Sequence, residues 1–177
     1  ASANSARTRP IMQRHQIEAI LGRPTRETSA ITRLSVLRGS TVLVTGAGGS
    51  IGSALCHTLL EDQSIRLVAL DANEYLLHQL VMSVGSEDGN RLVPVLGSIT
   101  DRSFVSEVIS SHAPRTIFHA AAYKHVPLLE ANIAEAVRNN VLGTWNLCQV
   151  ASETAERLVF ISTDKAVDAV SVMGATD

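Results

Sequence analysis

Residues 161–166 bring several side chains that can exchange protons into one short run of sequence. Ser162 and Thr163 supply hydroxyls, and a carboxylate and an amine follow in Asp164 and Lys165. The acid can protonate a leaving hydroxyl, while the amine, if partial burial lowers its pKa, can remove a proton from carbon. The alternative is a solvated ion pair that follows a strand and takes no part in chemistry.

A glycine-rich run at residues 45–52, here called the glycine loop, predicts phosphate binding. It follows the apolar residues 41–44 and opens a stretch with helical periodicity. Gly46 permits a tight turn, Gly49 lets the backbone approach a pyrophosphate, and Gly52 allows close packing of the helix on the strand. This G-x-x-G-x-x-G spacing is typical of short-chain dehydrogenases and reductases. The alternative is an ordinary Gly-rich turn before a helix.

Asp71 strengthens the prediction of a dinucleotide. It ends a strand-like run at residues 66–70, about 20 residues beyond the glycine loop, where a carboxylate accepts a hydrogen bond from the ribose 2′-OH. Its charge would repel a 2′-phosphate, and neighbouring Asn73 supplies no countercharge. The sequence therefore predicts NAD as the cofactor in preference to NADP.

Alternating strands and helices must position these residues. Strands are predicted at 41–45, 65–71, 91–96, 115–119 and 157–162, and helices at 50–61, 73–83, 101–111 and 130–152, with Thr100 as the N-cap of the third helix. The alternation indicates an α/β fold, a doubly wound parallel Rossmann sheet. Right-handed crossovers give the strand order 3-2-1-4-5, with ligands at the carboxyl ends where the winding reverses.

The segment after the fourth predicted strand carries further candidates. Three alanines at 120–122 would let a flat cofactor pass close to the backbone, and Lys124 could bind phosphate or ribose. His119 and His125 could act as acid or base, but a satisfied core histidine and a polar loop residue are favoured, because neither has an evident partner. Asn140, within a helix, either ties that helix to the fourth strand or orders a water beside the site.

Composition narrows the class of protein. The chain has 177 residues, 45% of them hydrophobic, with a mean hydropathy of +0.16. No uninterrupted apolar run approaches the ~18 residues of a membrane span, and no signal peptide is evident. Cys56 and Cys148 have no spacing for a metal site, so we expect two buried thiols in a reducing, cytoplasmic compartment.

Charge separates an N-terminal arm from the rest. Residues 1–38 hold seven arginines and two glutamates, so their net charge is +5 and the remainder carries −7. We interpret residues 1–38 as a basic arm and residues 39–177 as the cofactor-binding domain. The arm could contact anionic lipid or nucleic acid, but it lacks interleaved aromatics, so a solvated linker is favoured and no nucleic-acid partner is predicted.

Four stretches together resemble one family, the CapD-like polysaccharide-biosynthesis nucleotide-sugar 4,6-dehydratases, which are extended short-chain dehydrogenases. The stretches are residues 46–53, 119–130, 140–144 and 161–176, within a match over approximately residues 17–176. The resemblance implies a UDP-N-acetylhexosamine substrate. A hydride moves from C4 to the cofactor, water is lost across C5 and C6, and the hydride is returned to C6.

The resemblance also implies residue roles. By position, Asp164 is the acid for the C6 hydroxyl, Lys165 is the base at C5, and Thr163 hydrogen-bonds near the 4-hydroxyl. The motifs and the resemblance together give a cofactor-binding set of Gly46, Gly49, Ser50, Ile51, Gly52, Asp71, Asn73, Ser98, Ile99, Ala120, Ala121, Ala122, Lys124, Asn140 and Ser162.

The chain departs from the family pattern at three positions. Met173 stands where many relatives have Tyr, although large membrane-anchored members also have Met there. Asp177 replaces a Lys that holds the nicotinamide ribose, and Ser98 replaces an Asp that would contact adenine. The family also continues with a substrate-gripping lobe. We therefore expect the cofactor-binding portion of a longer enzyme, inactive alone, whose basic arm leads toward an anchor at the cytoplasmic face of the inner membrane.

Two other functions stay open at this point. A nucleotide-sugar 4-epimerase is less favoured, because it does not need an acid and base pair such as Asp164 and Lys165. A non-catalytic NAD-binding module is favoured by Met173 and Asp177. Association into a homo-oligomer is also left open.

Overall fold

The computed structural model describes residues 34–176 together with Ala19, Ile20 and Gly22. The chain divides into two compact units, residues 1–30 and 31–177. In the first unit, Ala19 and Ile20 are helical. Most of the predicted basic arm lies outside the described residues, so its role stays a prediction.

The second unit alternates strands with helices. Its strands are β1 (Thr41–Thr45), β2 (Arg66–Asp71), β3 (Leu92–Leu96), β4 (Thr116–His119) and β5 (Arg157–Phe160). Its α-helices are α1 (Ser50–Leu60), α2 (Glu74–Ser83), α3 (Ser86–Gly89), α4 (Arg102–His112), α5 (Val126–Ala131), α6 (Ile133–Ala136), α7 (Thr144–Thr154) and α8 (Val172–Thr176). A π-helical segment, Val137–Gly143, joins α6 to α7, and 3-10 turns lie at Leu34–Leu37 and Asp164–Ala166.

The five strands form a parallel sheet in the order β3-β2-β1-β4-β5, which confirms the predicted fold class and topology. Thr45 at the end of β1 pairs with Leu70 of β2 and with His119 of β4. Because these strand ends lie at one level, the segments that follow them surround a common space above the centre of the sheet.

Two buried clusters pack on the two faces of the sheet. Val44 of β1 belongs to one cluster with Leu59 of α1 and Leu77 of α2. Leu43, the preceding residue, belongs to the other cluster with Ile109 of α4 and with residues of α7. Because side chains of a strand alternate between faces, burial on both faces accounts for the continuous apolar runs in the sequence.

The prediction of one continuous helix over residues 130–152 is wrong. α5 ends at Ala131, and Asn132 has a non-helical backbone with φ −137° and ψ 55°. The Asn132 side chain donates to the carbonyl of Leu128 at 2.8 Å and so satisfies an acceptor at the end of α5. This local hydrogen bond competes with continuation of the helix, and hydrophobic periodicity alone does not register it.

The predicted N-cap of α4 is also wrong by one position. Asp101, not Thr100, accepts a hydrogen bond from the Phe104 N–H at 3.1 Å. The hydroxyl of Thr100 instead lies 2.9 Å from that of Ser98. Thr and Asp are both common at N-cap positions, so the path of the preceding loop decides which of the two residues caps the helix.

The two thiols differ in environment. Cys56 is fully buried in the core, and desolvation raises the pKa of its thiol to about 12. Cys148 is only half-buried, so the prediction of two buried thiols is wrong for Cys148. Among residues 34–176, no cluster of His, Cys, Asp and Glu could hold a metal ion. None of the described helices has the length and apolarity to cross a membrane.

Candidate functional site

The glycine loop turns sharply because Gly46 takes a left-handed backbone, with φ +67°. A Cβ on Gly46 would lie 2.6 Å from the carbonyl oxygen of Ala120, so the loop approaches the segment after β4 too closely for a side chain. A Cβ on Gly52 would overlap the carbonyl oxygen of Gly46. Both glycines are therefore required by packing within the protein.

Gly49 is less crowded than Gly46 and Gly52. A Cβ would meet only the carbonyl oxygen of Gly46, at 3.3 Å, and the backbone, with φ −68° and ψ 169°, suits any residue. Gly49 is also the N-cap residue of α1. An open position at the start of a helix leaves space for a ligand at the helix N-terminus.

The N-terminus of α1 is not closed by a side chain. Asn73 caps α2 by accepting from the Leu76 N–H at 3.1 Å, and Asp101 caps α4 in the same way. Gly49 offers no such bond to α1, and no acidic side chain lies in the first turn of that helix. The free N–H groups and the positive end of the helix dipole remain available to an anion.

Asp71 joins the glycine loop to α2. Its Oδ2 accepts from the Gly48 N–H at 2.8 Å, and its Oδ1 accepts from the Asn73 N–H at 2.8 Å. The residue is 9% exposed and lines the same space as Gly49. Each carboxylate oxygen can still accept another hydrogen bond, so Asp71 is fixed in place with acceptor capacity left for a ligand.

The glycine loop, Asp71 and the segment after β4 enclose a cavity of about 760 Å³, here called the main cavity. From the predicted cofactor-binding set, it is lined by Gly46, Gly49, Ser50, Asp71, Asn73, Ser98, Ile99, Ala120, Ala121, Ala122 and Lys124. The structure thus brings residues from four separate loops together around one space at the carboxyl edge of the sheet.

Four members of the predicted set lie elsewhere. Ile51 is 58% exposed, Gly52 packs against the glycine loop, and Ser162 is exposed beyond β5. Asn140 is buried and does not line the main cavity. Membership of the glycine loop, or proximity to another motif in the sequence, is therefore not sufficient to bring a side chain to the main cavity.

Asn140 holds the segment after β4. Its Oδ1 accepts from the Tyr123 N–H at 2.8 Å, and its Nδ2 donates to the Tyr123 carbonyl at 3.0 Å and to Thr176 Oγ1 at 3.3 Å. These bonds tie the π-helical segment to the loop that follows β4.

The main cavity is also lined by residues outside the predicted cofactor-binding set. They are Gly48, Ala72, Leu76, Gly97, Tyr123, His125, Leu128, Leu129, Asn132, Glu135 and Asn139, with Leu70 at the end of β2. Asn132, Glu135 and Asn139 recur at the three- and four-residue spacing of one helix face, which is a signal that the sequence carried. The sequence does not show which face of the helix, interrupted at Asn132, is turned toward the cavity.

His119 is a buried core residue, as the favoured interpretation held. Its Nδ1 lies 2.6 Å from Thr45 Oγ1, and its Nε2 lies 2.8 Å from Thr144 Oγ1. Desolvation lowers the pKa of the imidazole to about 4. With both ring nitrogens beside threonine hydroxyls, His119 links β1, β4 and α7.

Thr163, Asp164 and Lys165, here called the proton-transfer turn, lie after β5 and do not line the main cavity. Thr163 Oγ1 donates to Asp164 Oδ1 at 3.0 Å, and Lys165 Nζ lies 4.0 Å from the same oxygen. The Asp164 side chain is 94% exposed and that of Lys165 is 62% exposed. The partial burial expected for Lys165 is therefore wrong for the described structure.

Met173 is 3% exposed and packs in a small apolar cluster with Leu129 and Ala136. Its thioether supports the helices beside the main cavity and does not line it. Ser98 lines the cavity, with its Oγ accepting from the Thr100 N–H at 3.2 Å. Asp177 lies outside the described residues.

Comparison with known proteins identifies relatives of the chain. A family model described as polysaccharide biosynthesis protein matches residues 42–177. Capsular polysaccharide biosynthesis protein CapD of Staphylococcus aureus is 39% identical over 168 residues, which cover 93% of this chain and 28% of that protein. UDP-N-acetylglucosamine 4,6-dehydratase (inverting) of Campylobacter jejuni is 28% identical over 142 residues, 80% of this chain and 41% of that protein.

A solved structure shares the fold. UDP-glucose-4-epimerase from Stenotrophomonas maltophila, with bound NAD and formylated UDP-arabinopyranose, matches with a TM-score of 0.66 and 25% identity. The match covers 77% of this chain and 45% of that one. These findings confirm the predicted family resemblance, and the chain spans less than half the length of each of these three proteins.

Proposed function

Because the chain belongs to the polysaccharide biosynthesis protein family, we propose that it is the NAD-binding part of a nucleotide-sugar 4,6-dehydratase. The observation that carries the proposal is the uncapped start of α1, which borders the main cavity beside Asp71. The name of the C. jejuni relative supports a UDP-N-acetylhexosamine as substrate of the whole enzyme.

The start of α1 fits a pyrophosphate. Gly49 and Ser50 line the cavity, and the N–H groups of the first turn can donate to phosphate oxygens. Within the protein a Cβ on Gly49 would have one close contact, the Gly46 carbonyl oxygen at 3.3 Å, so a ligand close to the backbone adds a second reason for glycine at this position. The neighbouring alanines at 120–122 leave room for a flat ring to cross toward β4.

The charges around the cavity favour NAD over NADP. Asp71 at the end of β2 can accept the ribose 2′-OH and would repel a 2′-phosphate. Among the described residues that line the cavity, Lys124 is the one Lys or Arg, and it follows β4, on the other side of β1 from β2. No lysine or arginine of this lining therefore comes from the loops after β2 and β3 to neutralise a 2′-phosphate.

The proton-transfer turn supplies an acid and a base for elimination. A bound nicotinamide would supply the acceptor for the C4 hydride and its return to C6. Asp164 gives a proton to the departing C6 hydroxyl, and Lys165 removes the proton from C5, so that water leaves and a double bond forms. The proton of the C4 hydroxyl is released to water, and Lys165 gives a proton back to C5 as the hydride is returned. Thr163 holds Asp164 through its 3.0 Å hydrogen bond, and the exposure of both titratable side chains leaves them accessible to a substrate.

Two other activities are supported by particular observations. The fold match to a UDP-glucose 4-epimerase favours a nucleotide-sugar 4-epimerase. Met173, which has no titratable group and stands where many relatives have Tyr, favours a module that binds NAD without turnover. The acid and base pair favours the dehydratase over both, because elimination needs one group to give a proton and another to take one.

Calorimetric titration of the chain with NADH tests the cofactor site. Gly49→Val should abolish measurable binding, because its side chain would occupy the pyrophosphate position while its backbone stays unstrained. Gly85→Val is the matched control, since a Cβ there meets nothing within 4 Å. Unchanged affinity in Gly49→Val would rule out a pyrophosphate at the start of α1.

Mass spectrometry of reactions with UDP-N-acetylglucosamine tests the activity in the full-length protein that contains this chain. Loss of one water from the sugar supports the dehydratase, and an unchanged mass with altered stereochemistry indicates an epimerase. Cofactor binding with no change in the sugar indicates a binding module. The 177-residue chain alone should bind NADH and give no product.

A further inference from the structure

The loop at residues 97–100 forms one wall of the main cavity through Gly97, Ser98 and Ile99. Two of its carbonyl groups face α7, where the Nδ2 of Asn146 donates to the Ile99 oxygen at 3.3 Å and to the Thr100 oxygen at 3.1 Å. Asn146 does not line the cavity itself. It can therefore act on a ligand only through the loop.

The remaining contacts of the loop show why this amide matters. Gly97 N–H donates to the Asp71 carbonyl at 3.0 Å, which fixes the beginning of the loop on β2. Ile99 packs so tightly on the π-helical segment that a Cβ on Gly143 would lie 2.7 Å from it. The hydroxyls of Ser98 and Thr100 bond to each other, so they do not anchor the loop to another element. The Asn146 amide provides the hydrogen bonds between the middle of the loop and α7.

We infer that Asn146 is a positioning residue for the adenosine half of the dinucleotide, an inference that rests on the proposed function. The carboxylate of Asp71 marks the side of the sheet on which the adenosine ribose binds. The loop at 97–100 follows β3, which is the next strand beyond β2 on that side. Asn146 thus sets the distance between this wall and the ribose site.

Asn146→Asp tests the inference with little change in side-chain shape. The carboxylate replaces an amide donor with an acceptor that faces two carbonyl oxygens, so the loop must shift away. Gln149→Glu is the matched control, since it makes the same chemical change at an exposed position of the same helix. Asn146→Ala removes the donor without adding charge and is measured alongside, which also covers the case in which the aspartate variant fails to fold.

The measurement is calorimetric titration of each folded variant with ADP-ribose, which contains all of NAD except the nicotinamide ring. We expect the Kd to rise about tenfold in both Asn146 variants, as the loss of about one to two net hydrogen bonds predicts, and less than about twofold in Gln149→Glu. Hydrogen exchange of the Asp101 N–H, which donates to the Ser98 carbonyl at 3.2 Å, should accelerate in the Asn146 variants.

Three results would overturn the inference. The first is an Asn146 variant that is folded, less stable and still binds ADP-ribose as tightly as the wild type, which indicates a structural role alone. The second is an equal loss of affinity in Gln149→Glu. In the third, the unmodified chain binds neither NADH nor ADP-ribose, and the proposed function then fails together with the inference.

Discussion

The cofactor side of the molecule and the proton-transfer turn differ in how firmly the described residues hold them. Asp71 is 9% exposed, and both of its oxygens accept backbone N–H groups. Asp164 is 94% exposed, and its partner Lys165 stands 4.0 Å away. The first arrangement is rigid before any ligand binds, whereas the second can adapt to a substrate. Binding of the cofactor and transfer of protons should therefore be separable by mutation.

The largest effect is expected from a mutation in the proton-transfer turn, which should change the reaction rate and leave cofactor binding intact. Lys165→Ala in the full-length protein should lower the rate of dehydration by about 10²–10⁴, the usual contribution of a general base. NADH affinity should hardly change, because Lys165 does not line the main cavity. Steady-state kinetics by mass spectrometry measures the rate, and NADH titration measures the affinity. Lys124→Ala is the comparison variant, which should weaken NADH binding. Near-normal turnover would refute Lys165 as the base.

The buried residue His119 should make the stability of the protein depend on pH. The folded-state pKa of His119 is lowered to about 4 from the ordinary 6.5, so between these values the unfolded chain binds a proton that the folded chain does not. Stability should therefore fall as pH decreases, by about 2 kcal/mol between pH 7 and pH 5. Urea unfolding at the two pH values measures this change.

His119→Asn should remove most of that pH dependence while lowering stability at pH 7, because the buried hydroxyl of Thr45 and the half-buried hydroxyl of Thr144 lose a partner. The exposed His78→Asn should retain the wild-type slope. A wild-type stability that is flat between pH 7 and pH 5 would contradict the assignment. Asp62 and Asp101 do not account for the slope, since hydrogen bonds from Ser64 and Ser103 lower their pKa below 3.8.

Asp71→Ala should weaken NADH binding and remove the selectivity for NADH over NADPH. NADH affinity should fall about 10- to 100-fold, as for a lost hydrogen bond to a charged group, and the preference over NADPH should disappear. Parallel titrations with NADH and NADPH measure the preference, and exposed Glu74→Ala at the start of α2 is the control. Equal or tighter NADPH binding by the unmodified chain would refute the predicted specificity.

Met173→Leu should have the smallest effect. The swap conserves volume in the cluster with Leu129 and Ala136, so the free energy of unfolding should change by less than about 1.5 kcal/mol. Turnover of the full-length protein should stay close to normal, because Met173 has no titratable group and does not line the cavity. Met173→Ala, which leaves a hole, provides the contrast in thermal unfolding. A large loss of turnover in a stable Met173→Leu protein would assign it a direct role.

The cofactor side could be anticipated from sequence more fully than the turn. The glycine spacing and Asp71 are local signals, and right-handed crossovers bring them to the same edge of the sheet. The exposure of Lys165 could not be read in this way, because burial depends on which distant segments cover a residue. The break at Asn132 was hidden for a similar reason, since one side-chain hydrogen bond competes with an otherwise helical pattern.

The π-helical segment Val137–Gly143 acts as a phase shift between two helical registers. Each turn of a π-helix holds more residues than an α-helical turn, so side chains after the segment point in directions that an uninterrupted α-helix would not give them. Asn139 lines the main cavity and Asn140 is bonded to Tyr123, although the two residues are adjacent. Removal of one residue here would rotate α7 by about 100° relative to α6. Thr144 and Asn146 would then turn away from His119 and the loop at 97–100 together.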